Sequence, residues 1–430
     1  MQVGFASVDI TPDRLLSLQG QMHLRMARHT RDPLMASALA FDDGAQRAVI
    51  VSCDLCMIPD TFVASVRGQG SSRWAIEPRR VLIAATHTHV GPCMVAFSQT
   101  QVIDAAYVEE LRGKLVEVVA AALADLEDAT LSGGAGWAQH MGWNRRGRHD
   151  RGVGMYHGSW RPNFLGSEGP RDGTVPVIVA RRGNGSIKAI LTGFASHPNS
   201  VEGETYYSAD FPGELRKALR GALGDVGVVY LTGAAANTAP SILENNPQNV
   251  QPWRGEKGVV RSGQYLAGIV LQQLAAAIEP MVHPMVRLAK QTLEIPVRPW
   301  NQGFDPVKDV ASEPAKAYYL AQQAQWPQRL ATQSPVPVRV NVLRLGDAVI
   351  CTNPAELFVE FGLDLRRHSP AKLTMISQLT DGYCGYVCTR HAFEGGGYET
   401  WPAVTSQLAP EAGERIVDAT RAMLDQVFAD

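Results

Sequence analysis

Val81-Leu82-Ile83-Ala84-Ala85-Thr86-His87-Thr88-His89-Val90-Gly91-Pro92 is the stretch around which the rest of the chain arranges itself. It opens as a short apolar run of the kind that fills a buried strand. It closes on two histidines separated by one threonine, with a Gly-Pro turn signal directly behind them. Side chains alternate along a strand, so His87 and His89 are expected on one face. Two imidazoles offered together at the mouth of a strand suit metal binding or proton transfer. A bare His-x-His is a weak motif, and two polar loop residues would look the same. What decides is whether other residues converge on the same place.

The chain has 430 residues, enough for one large domain or several ordinary ones. It is 45% hydrophobic and 19% charged, with a formal net charge of −2. That balance gives no electrostatic reason to expect nucleic acid or an anionic membrane as partner. Residues 1–10 lack the basic and apolar regions of a signal peptide, and no apolar run approaches the roughly 18 residues of a membrane helix. Cys53, Cys56, Cys93, Cys351, Cys384 and Cys388 sit mostly in apolar segments. They read as reduced core thiols of a cytoplasmic protein rather than as a zinc ribbon of Cys53-x-x-Cys56 with Cys384-x-x-x-Cys388.

Outward from the histidines the pattern is mixed. Residues 38–44 and 47–53 read as a hairpin over an Asp-Gly turn, with Asp54 at its end. Residues 104–126 read as an amphipathic helix. The Gly-rich 132–136 reads as a break, and the polar, Arg- and His-rich 140–171 as a loop too long and irregular for a plain connector, functional or disordered. A second hairpin covers 175–180 and 187–194, with Pro176 at an edge or a strand start, and runs into Ala195-Ser196-His197-Pro198. A helix over 212–223, a buried strand over 226–231, a small-residue turn over 233–240 and a helix over 259–278 follow. Extended segments begin at 285, interrupted by a helical stretch over 313–323. Residues 336–345 and 348–351 make a third hairpin through Gly346-Asp347. Asn353 and Pro354 read as the N-cap and first residue of a helix carrying Glu356. A strand over 373–377, the segment 381–387 and a helix over 409–428 complete the chain. The expected fold is α/β, mixed β-sheets flanked by helices, in a single compact catalytic domain over residues 1–430.

Four places share one layout, a polar metal-capable side chain just beyond an apolar strand: His87/His89, His197, Glu356 and Tyr383/Tyr386. Strand ends are where open α/β sheets place their sites. Two histidines and a carboxylate are a common catalytic zinc set with a position left for water. A tyrosine can ligate zinc or steady an oxyanion. Each has a plainer reading alone: His197 as a turn cap, Glu356 at the positive end of its helix, Tyr386 as a core aromatic. Recurrence argues for the site. Elsewhere, Trp143, Trp160 and Trp253 could line a cleft, Gly395-Gly396-Gly397 could be a flap or a plain turn, and Arg145-Arg146-x-Arg148 could recognise an acidic group or be a solvated loop.

Together these residues resemble the catalytic domain of the neutral/alkaline, non-lysosomal ceramidases. The resemblance runs from Gly4-Phe5-Ala6-Ser7-Val8-Asp9-Ile10-Thr11-Pro12, through the Thr-His-Thr-His-x-Gly-Pro element at 86–92, to Tyr383-x-x-Tyr386 and Tyr398-Glu399. It implies one zinc ion held by His87, His197, Glu356 and Tyr386, with His89 as a proton-transfer residue. Asn144-Arg145 resembles the family's Asn-Arg element, whose arginine faces the substrate carbonyl or oxyanion. Ser208-Ala209-Asp210 resembles a Ser-x-Asp element. The chain departs at Ala236-Asn237-Thr238-Ala239-Pro240, where ceramidases carry Gly-Asp-x-Ser-Pro; Ala239 offers no nucleophile, which leaves a zinc-activated water. Neither the family's C-terminal immunoglobulin-like domain nor its secretion signal is read in the sequence. The resemblance therefore implies a zinc-dependent hydrolase acting on an amide-type bond in a small soluble molecule, with no nucleic acid partner and no membrane insertion. An ester, lactone or glycosidic bond, or ligand capture without turnover, are the alternatives. The sequence gives no oligomeric state.

Overall fold

The computed structural model describes residues 1–97, 100–276, 279–282, 284–301 and 303–429. In chain order the elements begin with β1 (Gln2–Asp9), β2 (Met35–Asp42), β3 (Arg47–Cys53), α1 (Asp60–Gly70), β4 (Val81–Ala85) and α2 (Ala105–Ala124). Then come β5 (Glu127–Trp137), β6 (Trp143–Asn144), β7 (Arg146–His149), β8 (Gly152–Met155), β9 (Phe164–Ser167), β10 (Thr174–Arg182) and β11 (Ile187–Phe194). The middle of the chain adds α3 (Asp210–Leu223), β12 (Gly227–Thr232), β13 (Thr238–Ala239), α4 (Gly255–Ala276), β14 (Val286–Ile295), α5 (Pro306–Asp309) and α6 (Glu313–Thr332). It closes with β15 (Val336–Leu345), β16 (Ala348–Thr352), β17 (Glu356–Leu357), α7 (Val359–His368), β18 (Leu373–Ser377), β19 (Tyr386–Val387), α8 (Arg390–Gly395) and α9 (Ala412–Phe428).

Two mixed sheets form the frame. The larger runs β12-β11-β10-β5-β1-β2-β3-β4 and the smaller β14-β15-β16-β18. They stack through a shared apolar seam in which Ile50, Leu82 and Leu191 meet Leu343, Ile350 and Met375. Each such side chain, fully withdrawn from water, contributes roughly 1.5–3 kcal/mol. Helices cover the outer faces: α1 and α2 pack beside β2–β4, α3 and α4 beside β10–β12, and α7 and α9 on the smaller sheet. Strands β3 and β4 are therefore buried on both faces, which is why they read as unbroken apolar runs rather than as alternation.

The parallel pairs place the site. β3/β4, β11/β12 and β16/β18 are each parallel, and the larger sheet curls so that its two edges meet. Ser52 Oγ donates to the Tyr230 carbonyl, and Thr232 Oγ1 donates to the Thr86 carbonyl at 2.6 Å. The Ala85 amide donates to the Leu379 carbonyl at 3.1 Å, and that of Gln378 to the Thr232 carbonyl at 3.0 Å. The outgoing ends of β4, β12 and β18 are thus tied together.

Several expectations are corrected. Residues 132–136 are no break but the middle of β5, paired with β10 in mid-sheet. The glycines are there for packing: a Cβ on Gly136 would lie 2.3 Å from Ile269 of α4, and one on Gly133 2.6 Å from Met281. Residues 140–171, expected as a loop, hold regular structure: β6 and the small antiparallel sheet β8-β7-β9. The helix from 313 continues to Thr332. Glu356 is not helical: it lies in β17, and α7 starts only at Val359. The helix expected over 259–278 starts earlier, at Gly255, and residues 277–278 lie outside the described residues. The hairpins, the strand over 81–85 and the capped helix α2, where Asp104 accepts from the Tyr107 amide, stand as read. All six cysteines are free and buried, and among the described residues no metal-capable grouping brings two of them together. Among the described residues, no helix is long and apolar enough to cross a membrane.

Candidate metal centre

His87 does not sit on a strand face. β4 ends at Ala85, and His87 takes a left-handed φ of +74°, uncommon for a side chain of its size. Its ring is fixed from behind: Nδ1 lies 2.7 Å from the Cys56 carbonyl oxygen. His197, three residues past β11, is held in the same way, with Nδ1 2.7 Å from the Ala235 oxygen and 3.0 Å from that of Thr238. In both, donation of Nδ1–H to a carbonyl leaves the Nε2 edge free to face a cation, the kind of outer support that metal-binding histidines receive.

Glu356 comes from the opposite side. Its Oε2 lies 3.3 Å from His87 Nε2 and 3.3 Å from His197 Nε2, while Oε1 accepts from Tyr383 Oη at 3.1 Å. The donor atoms of His87, His197 and Glu356 all lie within 4.8 Å of one another. His197 Nε2 and Glu356 Oε2 are buried and make no hydrogen bond despite their proximity. Buried orphan polar atoms are rare and costly, and here they converge. Donors at zinc-ligand distance on a tetrahedron stand roughly 3.3 Å apart, so the set fits a zinc-sized cation.

His89 is set apart. Its Nε2 is 3.4 Å from His87 Nε2, yet it joins no donor group with His197 and Glu356. A second grouping, Cys56 with His87 and His89, is also geometrically possible, with Cys56 Sγ 3.6 Å from His87 Nδ1. Burial pushes His89 down to about 4 and His197 down to about 3, so both are neutral at ordinary pH. Burial also opposes a charge on His87, but Cys56 and Glu356 outweigh it and hold that pKa well above 6.5. Glu356 is held well below the carboxylate range, its burial outweighed chiefly by His87.

Tyr386 and Arg145 meet beside this set. Arg145 Nη2 donates to Tyr386 Oη at 3.1 Å, and Arg145 Nε donates to Glu399 Oε1 at 3.0 Å. Arg146 Nη1 donates to the other oxygen of Glu399 at 2.7 Å and its Nε pairs with Glu168. Two buried guanidiniums thus share one buried carboxylate. The arginine cluster is therefore no ready-made acid-recognition patch: only Arg148 is exposed. Arg146 also donates to the Gly396 carbonyl at 2.6 Å, which ties the glycine run to the buried arginine pair. Trp143 lies against Arg171 and Trp253 against Tyr265. Ala239 is fully buried in β13, paired with Trp143. Asp210 accepts from the Val201 and Phe211 amides, which anchors the loop after His197 rather than the reacting centre.

Sequence reasoning missed Glu202, whose Oε2 is 3.5 Å from His89 Nδ1, and the Arg254, Asn199 and Tyr156 groups around it. The one available signal was an acidic residue five positions after His197.

The fold and site define an α/β protein with metal-capable side chains gathered at its strand ends. Its fold is that of the neutral ceramidases. A ceramidase complexed with C2 matches 99% of this chain and 75% of its own, with a TM-score of 0.78 and 16% identity. The neutral ceramidase from Pseudomonas aeruginosa matches 99% of this chain and 74% of its own, with a TM-score of 0.78 and 17% identity. No protein-family model and no curated protein sequence matches the chain.

Proposed function

We propose that the protein is a zinc-dependent hydrolase that cleaves an amide-type bond in a small molecule. The observation that carries this reading is the pair of buried, unbonded atoms His197 Nε2 and Glu356 Oε2, 3.3 Å apart beside His87 Nε2. The ceramidase fold supports the reaction class. His87, His197 and Glu356 would hold the ion, with Tyr386 as fourth ligand. When bound, zinc polarises a carbonyl and lowers the pKa of water.

The chain's own groups do the rest. Arg145, held by Glu399, binds the carbonyl oxygen and meets the charge that develops on it. His89, neutral and almost buried, takes a proton at Nε2 from the attacking water and returns it to the leaving amine nitrogen. Water adds to the carbonyl carbon, the C–N bond breaks, and a carboxylate and an amine leave. Ala239 supplies no side-chain nucleophile, so no covalent acyl-enzyme forms at that position. Six buried free thiols suit a reducing compartment, which favours the cytoplasm.

The test pairs elemental analysis with a substrate panel. One zinc per chain, lost in His197→Ala, together with turnover of small N-acyl amines, is the expected outcome. Zinc-free protein, or turnover confined to esters, lactones or glycosides, would overturn the reading.

A further inference from the structure

His89 is clamped on three sides, and only one clamp faces its Nδ1. Its carbonyl accepts from Arg25 Nη2 at 2.7 Å, which fixes the backbone. Gly20, at φ +105°, closes one flank so tightly that a Cβ there would lie 2.6 Å from His89 Cβ. On the ring, Nδ1 is buried, makes no hydrogen bond, and faces Glu202 Oε2 at 3.5 Å. Glu202 is itself held: Oε2 accepts from Asn199 Nδ2 at 2.9 Å, and Oε1 pairs with the Arg254 guanidinium. Arg254 is braced in turn by Asn199 Oδ1 at 3.2 Å and by the Tyr156 ring, 5.4 Å from its guanidinium carbon. The loop that delivers His197 thus also delivers the carboxylate that faces His89.

We propose that Glu202 is the positioning residue of His89: its carboxylate accepts a hydrogen bond from Nδ1–H and so sets that tautomer, leaving Nε2 as the basic nitrogen. A neutral imidazole has one donor and one acceptor nitrogen, and the partner of one decides the role of the other. The opposite tautomer would leave the Glu202 carboxylate without its proton donor and put a hydrogen on the nitrogen 3.4 Å from His87 Nε2. In that state His89 has no lone pair on the side of the reacting centre. A carboxylate that orients a histidine from behind, without itself taking the proton, is an established way to fix an acid–base imidazole. The kinetic consequence rests on His89 being the proton carrier proposed above; the tautomer is a property of the protein alone.

The test uses 15N-histidine NMR of the zinc-loaded full chain, with the His89 signals assigned by their absence in His89→Gln. Wild type shows Nδ1–H with an unprotonated Nε2. Glu202→Gln, which keeps an acceptor oxygen, retains that tautomer, and Glu202→Ala moves the population towards Nε2–H. On any amide that the wild type turns over, Glu202→Ala lowers kcat about 10–100-fold at unchanged KM and zinc content, and Glu202→Gln recovers most of it. If Glu202→Ala does not fold, Arg254→Met loosens the carboxylate without removing it and gives a smaller change of the same direction. An identical His89 tautomer in wild type and in the folded variant, or loss of zinc in Glu202→Gln, overturns the proposal. A lack of turnover on every amide strikes the hydrolase reading instead, and the spectra still decide this one.

Discussion

Glu356 and Tyr386 are register partners in a two-residue parallel ladder, β17 against β19. Paired residues in a parallel ladder present their side chains on one face. The carboxylate beside the two imidazoles and the phenol bound to Arg145 are therefore neighbours by backbone geometry, ahead of any metal.

That pairing makes Tyr386→Phe informative. Burial, then Glu356, holds the metal-free phenol well above its ordinary pKa of 10, so it is neutral. Binding to a cation deprotonates such a ligand. Titrating zinc into the wild-type chain is expected to raise a tyrosinate absorbance in the near ultraviolet that Tyr386→Phe lacks, with zinc held more weakly. An unchanged band in the variant would take Tyr386 off the ligand set.

Glu399 is the common partner of Arg145 and Arg146, and all three are buried. Glu399→Ala leaves two guanidiniums without that charge, a change that costs about 3–5 kcal/mol for a buried pair. The denaturant midpoint is expected to fall accordingly, and Arg145 to lose its alignment on Tyr386. Glu399→Ala as stable as wild type would mean that the arginines find other acceptors.

Much of this was legible in the sequence, unevenly. Turn chemistry is local, so Asp43-Gly44, Gly183-Asn184-Gly185 and Gly346-Asp347 each announced a hairpin that forms. The His87/His89 spacing pointed to the right place for the wrong reason, since a left-handed turn after β4, not strand alternation, brings the rings to 4.8 Å. At Asn353 the local signal was real, because Oδ1 accepts from the Ala355 amide at 3.1 Å, but pairing with residues 386–387 claimed the next residues for a strand. Gly133 and Gly136 looked like turn residues because the neighbours that need them small, Met281 and Ile269, lie far along the chain. Glu202 had no motif at all; its meaning comes from His89, 113 positions earlier, across the fold.

Asp210 gives the molecule a pH dependence. Burial raises it from 3.8 to about 6, with backbone amides as its hydrogen-bond donors. The folded state thus holds this proton more tightly than the unfolded chain. Between about pH 4 and 6 the unfolded state has released it and the folded state has not, so stability from this group falls as pH rises through that window. Above it the cost levels off at about 3 kcal/mol. Asp210→Asn does not titrate, so the wild type should lose stability relative to it across the window, measured by urea unfolding at a series of pH values. A difference that stays flat would show that Asp210 is not the group responsible.

Gly193 tests whether the strand frame sets the site. It pairs with Leu231 in the parallel β11/β12 ladder, and a Cβ there would lie 2.4 Å from the Leu231 carbonyl oxygen. That neighbour is backbone and cannot rotate away, so Gly193→Ala must push the two strands apart. Overpacking of this kind costs about 1–3 kcal/mol. It also acts on the site: β11 leads to His197, and Thr232, next to Leu231, is tied to Thr86 beside His87. The variant is expected to lose both stability and zinc affinity. Gly113→Ala is the control, a helical glycine of α2 with nothing within 4 Å of an added Cβ. It should gain up to about 1 kcal/mol from helix propensity and hold zinc as the wild type does. If Gly193→Ala lost stability while its zinc affinity matched that of Gly113→Ala, the imidazoles would owe their spacing to the loops that carry them rather than to the strands beneath.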